Sequence, residues 1–560
     1  MTTFPERLKS LHARTPDRVA LTLQFSSADD LSLTLDQLLH GAASYSRSYA
    51  RAEIQPGEVV ILILQHGEDL VYAFWGAILH GTIPSIMPFL TEKLSPERYR
   101  ADLAALISVT RPSAIVTYQE FEAEVRSALK EGDSVREVIV TEKVEKQSKL
   151  DFNSLTGFQR KPGDIVLLQH SSGTTGLQKG VALSHQAVFN QLNAYGKSLA
   201  LNEKDVVVSW LPLYHDMGLI AGFILPILSG AHLALMSPFD WVRAPYKLMQ
   251  SVTKYHGTLS WLPNFAYNFC AQKIRERHLE GVDLSSWRAV INCSEPVRWE
   301  SHNAFSEKFK SYGLRREALQ TSYAMAENVF GVTQSQLGGE PVVFEVDRGA
   351  FMSERVARAP TDGHPSIKMM SSGRPLENVQ VKILDESRNE VADRAIGEIA
   401  LQSDCMLTGY FHRDDLTEKA IVDGWYLTGD YGFISDGEVY VSGRKKDMII
   451  VGGKNVYPQD LESLTSEVPG VHAGRSVAFG MYNEEEGTED VVVIAEVDPE
   501  DPAEQQKIAD AIRAHVTKNS AVALRYVRAV DSKWILKTSS GKTARSANKE
   551  KFLAELETQK

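Results

Sequence analysis

The sequence predicts an α/β protein: a large N-terminal domain of parallel-rich αβα sheets, a β-rich subdomain, and a small α+β C-terminal domain. Three observations carry that prediction. Near-continuous apolar runs alternate with amphipathic helical stretches as far as Ile291, the pattern of strands buried on both faces and joined by helices. After about Pro341 the texture changes to short alternating strands punctuated by turn signals. A chain of 560 residues is also too long for one ordinary core.

The elements follow in order. Leu35 to Arg51 reads as an amphipathic helix, Glu58 to Leu64 as a buried strand, Asp69 to Leu79 as the next helix and Ser113 to Thr117 as a strand. Further strands fall at Val138–Val140, Asp164–Gln169, Val206–Trp210 and Ala289–Ile291. The span Met217 to Met236 is apolar for nearly the length of a membrane helix. Gly218, Gly222, Pro226, Ser229, Gly230 and His232 interrupt it, so a buried helix followed by a strand is expected. In the β-rich part, strands are expected at Val379–Leu384, Gly397–Leu401 and Glu438–Val441. Past Gly443 the charged run Arg444-Lys445-Lys446-Asp447 precedes a strand at Met448–Val451. The acidic run Asn483 to Asp490 reads as a solvated loop.

Composition excludes several classes. With 43% apolar and 24% charged residues the chain is that of a globular protein. A formal charge of −12 leaves no basic surplus to neutralise a nucleic-acid backbone. Cys270, Cys293 and Cys405 are too few and too scattered for a disulfide framework or a zinc cluster, so a reducing, cytoplasmic setting is expected. Met1 to Arg7 lacks the apolar core of a signal peptide, and no transmembrane segment is expected.

The stretch that organises the chain is His170-Ser171-Ser172-Gly173-Thr174-Thr175-Gly176-Leu177-Gln178-Lys179-Gly180. It lies between the apolar runs Asp164–Gln169 and Val181–Leu183, with Ser184 placed to cap a following helix. Glycines let backbone approach a bulky anion, hydroxyls and amides donate to its oxygens, and Lys179 neutralises charge. That chemistry suits a polyphosphate. It is not a Walker A loop, because no Gly-Lys-Ser/Thr stands at the required spacing, and Gly541-Lys542-Thr543 has Leu536 where the first Walker glycine belongs.

Four more stretches are rich in reactive groups: Trp210 to Gly218, Ser322-Tyr323-Ala324-Met325-Ala326-Glu327, Tyr426-Leu427-Thr428-Gly429-Asp430, and Lys537-Thr538-Ser539-Ser540-Gly541-Lys542. Together and in this order they resemble the adenylate-forming superfamily of acyl-CoA synthetases, adenylation domains and luciferase. The resemblance runs from about Thr15 to Phe552. Within it the chain is most similar to fatty-acyl-AMP ligases, through Pro212 to Ile220, Asn455 to Glu462, and Thr538 to Lys542 followed by Arg545-Ser546-Ala547. There are departures: Gln178 for a usual proline, His170-Ser171 for Tyr-Thr, Ala324 for glycine, Leu536 for proline, and Gly452-Gly453-Lys454. None removes a reactive side chain.

The resemblance implies an N-terminal adenylation domain over 1–443, with a β-rich subdomain about 370–443 and an insertion-like segment about 341–368, and a mobile C-terminal domain over 444–560. In fatty-acyl-AMP ligases that insertion limits the domain movement needed to make CoA thioesters. The implied reaction is attack of a carboxylate, expected to be that of a fatty acid, on the α-phosphorus of ATP with Mg²⁺, releasing pyrophosphate. Transfer of the acyl group to the phosphopantetheine thiol of an acyl carrier protein follows. Free CoA is the alternative acceptor, and a nucleotide-binding regulatory protein without catalysis is the alternative class. The resemblance assigns Lys542 to bridging carboxylate and α-phosphate, Glu327 to Mg²⁺, and His215 to the entry of the acyl pocket. It assigns Ser171, Ser172, Gly173, Thr174, Thr175, Gly176 and Lys179 to the β- and γ-phosphates. Ser294, Glu295, Pro296, Ser322, Tyr323, Ala324 and Met325 fall along the adenine, Asp430 and Arg444 on the ribose side, and Lys446 at the hinge.

Overall fold

The computed structural model describes residues 2–89, 96–146, 150–171, 179–451, 454–483, 488–520, 522–538 and 541–558. Two seven-stranded sheets form most of it. In the first, Leu319–Thr321, Ala289–Asn292, Leu259–Leu262, Val206–Ser209, His232–Met236 and Val19–Gln24 run parallel in that spatial order, and Leu31–Thr34 closes the edge antiparallel. In the second, Ile165–Ser171, Ile83–Ile86, Val59–Leu62, Ala114–Thr117 and Glu137–Val140 are parallel neighbours. The chain then reverses: Lys179–Ser184 pairs antiparallel with Ile165–Ser171, and Gly409–Tyr410 pairs antiparallel with it in turn. The hydroxyl-rich stretch is therefore the connection of a β-hairpin, and Ser184 caps the next helix by accepting the Ala187 N–H.

The predicted helices lie at Leu35–Arg51 and Glu68–His80. Thr34 and Gln37 form a reciprocal capping box at the start of the first. The two helices cross so closely that a Cβ on Gly76 would stand 2.6 Å from the Ala42 carbonyl oxygen. The apolar span divides as expected into helix and strand, but its first part, Met217–Ile224, winds as a π-helix before Leu225–Ser229 and the strand His232–Met236. Gly218 fits tightly there, since a Cβ would lie 2.2 Å from the Pro212 carbonyl oxygen. Among the described residues no helix is long and apolar enough to cross a membrane.

An antiparallel sheet of Val379–Leu384, Gly397–Ser403, Trp425–Ser435, Ile421–Val422 and Glu438–Arg444 makes the β-rich part. Ahead of it, Val343–Asp347 and Ser366–Met370 pair as a hairpin. Between them the turn Ala350–Glu354 reaches the C-terminal portion, where the Phe351 ring lies 5.9 Å from that of Tyr457 and Met352 packs on the core around Leu461.

The C-terminal portion is a three-stranded sheet, Val471–Asn483, Thr488–Val497 and Leu524–Val530, with helices Pro458–Ser466, Pro502–Ser520 and Arg545–Thr558. This corrects the reading of Asn483 to Asp490 as a loop. Asn483 and Thr488-Glu489-Asp490 belong to paired strands, and Glu489 accepts the Ile450 N–H at 2.6 Å; residues 484–487 lie outside the described residues. One buried guanidinium gathers this portion. Arg545 donates to the Ala478 carbonyl at 2.9 Å, to Asp447 at 2.7 Å and to Glu462 at 2.7 Å. Across the junction Gln459 donates to the Ser442 carbonyl and lies so close to Gly443 that a Cβ there would meet its amide at 2.0 Å.

Three buried histidines set the acid limit of this fold. Burial holds His170 and His185 down to about 4 and His302 down to about 3, all three below the ordinary 6.5. Their folded values are depressed, so their contribution is fully present above pH 6.5 and is lost as pH falls toward 4. Between pH 7 and pH 5 each should cost on the order of 1–2 kcal/mol. The thermal unfolding midpoint is expected to fall steadily across that interval, and His302→Gln should flatten part of the slope; a midpoint independent of pH from 7 to 5 would contradict this.

Candidate active site

The chemical stretches singled out in the sequence converge where the ends of both large sheets meet the β-rich part and the last loop of the chain. The first carboxylate is Glu327. It sits on the short 3₁₀ turn Ala326–Asn328, held by a strained exit: Val329, β-branched, adopts φ +63 and ψ −54, and the Phe330 N–H closes a tight turn on the Asn328 carbonyl at 2.6 Å. Asn328 in turn donates to the Gly331 carbonyl at 2.7 Å. Glu327 is buried, and the Tyr410 hydroxyl donates to its Oε1 at 2.8 Å. Tyr410 and Tyr426 share a hydroxyl contact of 2.9 Å. The Lys179 ammonium lies 4.8 Å from the Tyr410 ring centroid, so the end of the hydroxyl-rich stretch rests on the aromatic that positions Glu327.

A second carboxylate, Asp216, stands at the start of the π-helix and accepts the Met217 N–H at 2.8 Å. Burial raises both carboxyls above their ordinary values, and the charge of Asp216 pushes Glu327 further up, while the Tyr410 hydrogen bond opposes the rise. Lys542 is the counter-charge: it pulls Asp216 back down. Lys542 also acts on the neighbouring His215. Burial first, and then the Lys542 charge, hold that imidazole down to about 3, neutral, and its Nε2 is buried with no hydrogen-bond partner.

The Lys542 loop is pinned by its own backbone and by the large sheet. The Thr538 N–H donates to the Lys542 carbonyl at 2.7 Å, and the Thr538 hydroxyl accepts the Lys542 N–H at 3.2 Å. Gly541, at φ +86, lies on the Phe265 ring, where a Cβ would be 3.1 Å from Cζ. The Phe265 N–H in turn donates to Glu295 at 2.9 Å, so Glu295 is engaged in capping the helix Asn264–Lys273.

On the other side, the buried Tyr323 hydroxyl donates to Asp430 Oδ2 at 2.6 Å, and Arg444 Nε stands 3.4 Å from Asp430 Oδ1. Both oxygens of Asp430 therefore already have a neighbour, and a sugar hydroxyl pair would share them with the phenol and the guanidinium. Ser322 is turned inward, donating to the Thr333 carbonyl at 2.7 Å. Ala324 bridges Gly331, and the Met325 N–H bonds the Phe330 carbonyl, both in backbone contacts that shape the turn bearing Glu327. Ser294 takes φ +70 at the end of its strand, with Pro296 two residues on. Lys446 lies at the junction, where lost hydration first, then Arg444 and Lys179, bring its ammonium group down to about 8. Ser172, Gly173, Thr174, Thr175 and Gly176, and the side chain of Ser171, lie outside the described residues.

The arrangement brings Glu327, Asp216, His215 and Lys542 together and sets Tyr323, Asp430 and Arg444 beside them. Asp216, Tyr410 and Tyr426 were not assigned from sequence. Asp216 was hidden inside a motif read for its histidine, and the two tyrosines lie 83 and 99 positions after the carboxylate they serve. Hard oxygen donors on the buried Glu327 and the half-buried Asp216 suit a magnesium ion. Among the described residues no cluster of three acidic, histidine or cysteine side chains forms a complete metal site.

The family described as AMP-binding enzyme matches residues 9–411. The chain is similar to the medium-chain-fatty-acid–[acyl-carrier-protein] ligase JamA of Moorena producens, 29% identical over 522 residues covering 90% of this chain and 86% of that protein. It is also similar to the long-chain-fatty-acid–AMP ligase FadD26 of Mycobacterium bovis, 28% identical over 581 residues, 98% of this chain and 97% of that one. A solved structure from a study of fatty acyl-adenylate ligases of E. coli and L. pneumophila superposes with a TM-score of 0.89 and 26% identity, over 100% of this chain and 99% of the other.

Two raised carboxyls in one site imply a stability cost that a neutral isostere removes. Glu327→Gln keeps an acceptor for Tyr410 and is expected to stabilise the ligand-free chain at pH 7.5 by roughly 1 kcal/mol. Because the folded carboxyl is raised, the wild-type penalty exists above its folded value and vanishes as pH falls below it, so the gain should shrink on acidification. Thermal midpoints measured against pH test this, and a variant less stable than wild type at every pH would refute it.

Proposed function

The chain belongs to the AMP-binding enzyme family and is an adenylate-forming ligase, and we propose that it activates a fatty acid as acyl-adenylate and passes the acyl group to the phosphopantetheine thiol of an acyl carrier protein. What supports the reading is that the Lys542 charge reaches Asp216 and His215, so that the last loop of the chain acts on a motif more than three hundred positions earlier. A carboxylate meeting ATP faces strong repulsion, on the order of 4 kcal/mol for two unit charges at about 4 Å in a partly screened site. A mobile ammonium group delivered to that point answers it.

In this reading Lys542 holds the attacking carboxylate and an α-phosphate oxygen together, so that the new C–O–P bond forms as the bond to pyrophosphate breaks. Glu327 and Asp216 would hold magnesium, which when bound neutralises the phosphate oxygens. Tyr410 and Tyr426 keep Glu327 aimed, and the strained Val329 turn fixes its height. His215, uncharged, offers a polar edge at the mouth of the acyl pocket without adding a cation to compete with Lys542. Tyr323 presents its ring to the base while its hydroxyl orients Asp430 for the ribose, with Arg444 at the junction. Lys179 closes the phosphate stretch, and Lys446 is the hinge of a boundary between residues 443 and 444. A swing there would withdraw Lys542 and admit the thiol.

The carrier protein is favoured as acceptor by the similarity to JamA and FadD26, and by the hairpin at Val343–Asp347 and Ser366–Met370, whose turn packs on the C-terminal core through Met352.

Lys542→Met is expected to lower acyl-adenylate formation about 10²–10³-fold while leaving ATP binding nearly intact. The check is a panel of fatty acids scored by pyrophosphate release, then by acyl transfer to a holo-carrier protein and to CoA. An undiminished rate in the variant would refute the charge-bridging role, and equal turnover with CoA would refute the preference for a carrier.

A further inference from the structure

A second cavity, of about 410 Å³, opens behind the Tyr410–Tyr426 pair, and nothing in the reaction as described uses it. Lys179 lines it together with Tyr410 and Tyr426, and the β-rich part supplies the rest from strands, the end of a helix and the turn after Val379–Leu384. Seven charged side chains face it: Lys179, Arg388, Lys419 and Lys445 against Asp385, Glu386 and Glu398. The formal excess is one cation, but the partners tell more. Glu398 is paired with Lys445 at 2.9 Å. Glu386 is paired with Arg355, which stands outside the cavity, at 3.0 Å. Asp385 accepts from the Asn389 backbone at 2.8 Å and its side-chain amide at 3.3 Å. All three carboxylates are thus engaged.

The cations are not. Among the described residues Arg388 and Lys419 have no ion-pair partner, and Lys179 has only the Tyr410 ring. A chain with a net charge of −12 here gathers round one cavity three cations that form no ion pair within 4 Å among the described residues, although the Lys419 charge also reaches Asp415. One of them, Lys179, ends the stretch whose chemistry suits a polyphosphate. Arg388 holds its place at φ +67 on the turn after Val379–Leu384, and Lys419 sits on the helix Asp414–Ala420 that follows Tyr410. The three charges come from different segments and face one cavity, which focuses their potential on an anion.

We infer that this cavity is the outlet for pyrophosphate: the anion leaves past Lys179 into the space behind Tyr410 and is drawn off by Arg388 and Lys419. The inference rests on the acyl-adenylate reading for the origin of the anion; the cavity's cations point to a small anion, and Lys179, which ends the hydroxyl-rich stretch, narrows it to an inorganic polyphosphate. Release by this route keeps the leaving anion apart from Lys542 and His215, on the far side of the tyrosine pair from Glu327.

The test uses the full chain and inorganic pyrophosphate. The double variant Arg388→Glu/Lys419→Glu alters two exposed side chains outside the reacting groups, and Lys204→Glu/Lys507→Glu makes the same change of net charge elsewhere on the surface. Calorimetric titration should show pyrophosphate binding weakened roughly 5- to 10-fold in the first variant and less than about 2-fold in the second, with the salt dependence flattened only in the first. Product inhibition by pyrophosphate should relax by the same factor while the KM for the fatty acid stays unchanged. Equal pyrophosphate affinity in wild type and the cavity variant, equal weakening in both variants, or no binding to the wild type would each overturn the inference. Pyrophosphate binding is read without turnover. A chain that binds it through Arg388 and Lys419 yet forms no acyl-adenylate would therefore refute the proposed function and leave the outlet standing.

Discussion

Two carboxylates with too little positive charge near them are the constraint on which the rest of the structure depends. Asp216 and Glu327 come from opposite sides of the site, and burial penalises the charge of each. A protein built only for stability would have neutral side chains there, because a buried like-charge pair is costly unless something arrives to share it. The groups that do arrive are Lys542 from the last loop and, in the reaction, a metal and a triphosphate. The site is incomplete by construction, and its free energy is lowered by binding.

The surrounding fold keeps that arrangement rigid without neutralising it. Tyr410 satisfies Glu327 with a hydroxyl, which orients the carboxylate and leaves its charge in place. The Val329 turn accepts a φ that β-branched residues avoid, a local strain of the order of 1–3 kcal/mol, to keep the following backbone out of the way. The tip of the Phe265 ring meets Gly541, so the loop carrying Lys542 rests on an aromatic side chain. Tyr323 and Asp430 form a separate hydrogen-bonded unit, and Arg444 approaches it from the junction, linking the sugar side of the site to the place where the C-terminal portion begins.

The legible part of this protein was its local chemistry. Helices such as Leu35–Arg51 emerge from apolar spacing and a capping residue, signals that lie within a few positions of the element they define. Glu327, Asp430 and Lys542 stood out for the same reason: each sits in a short stretch whose neighbours have no packing use for such composition. What could not be read was pairing across the chain. Tyr410 matters through a hydroxyl that meets Glu327 only after two sheets and a β-rich sheet have come together, and no local pattern marks it. Thr488-Glu489-Asp490 looked like solvated loop because three polar residues carry no alternation, yet they are strand, paired by backbone and fixed by the Ile450 amide. The π winding of Met217–Ile224 was equally silent, since no local pattern marks it; Gly218 within it lies close against the Pro212 carbonyl.

The Arg545 guanidinium has a mechanical consequence. By joining Asp447, Glu462 and Ala478 it makes one solid piece of everything downstream of Asp447, with Lys542 as a fixed point on that piece. Torsion cannot then be distributed along a flexible tether. In the proposed swing it would be concentrated in the three peptide units from Arg444 to Asp447, and the contacts crossing the junction include the Gln459 amide on the Ser442 carbonyl, the Phe351 ring beside Tyr457 and the Arg298–Asp460 pair. These contacts would have to be given up together, so the setting of the joint would depend on several side chains at once.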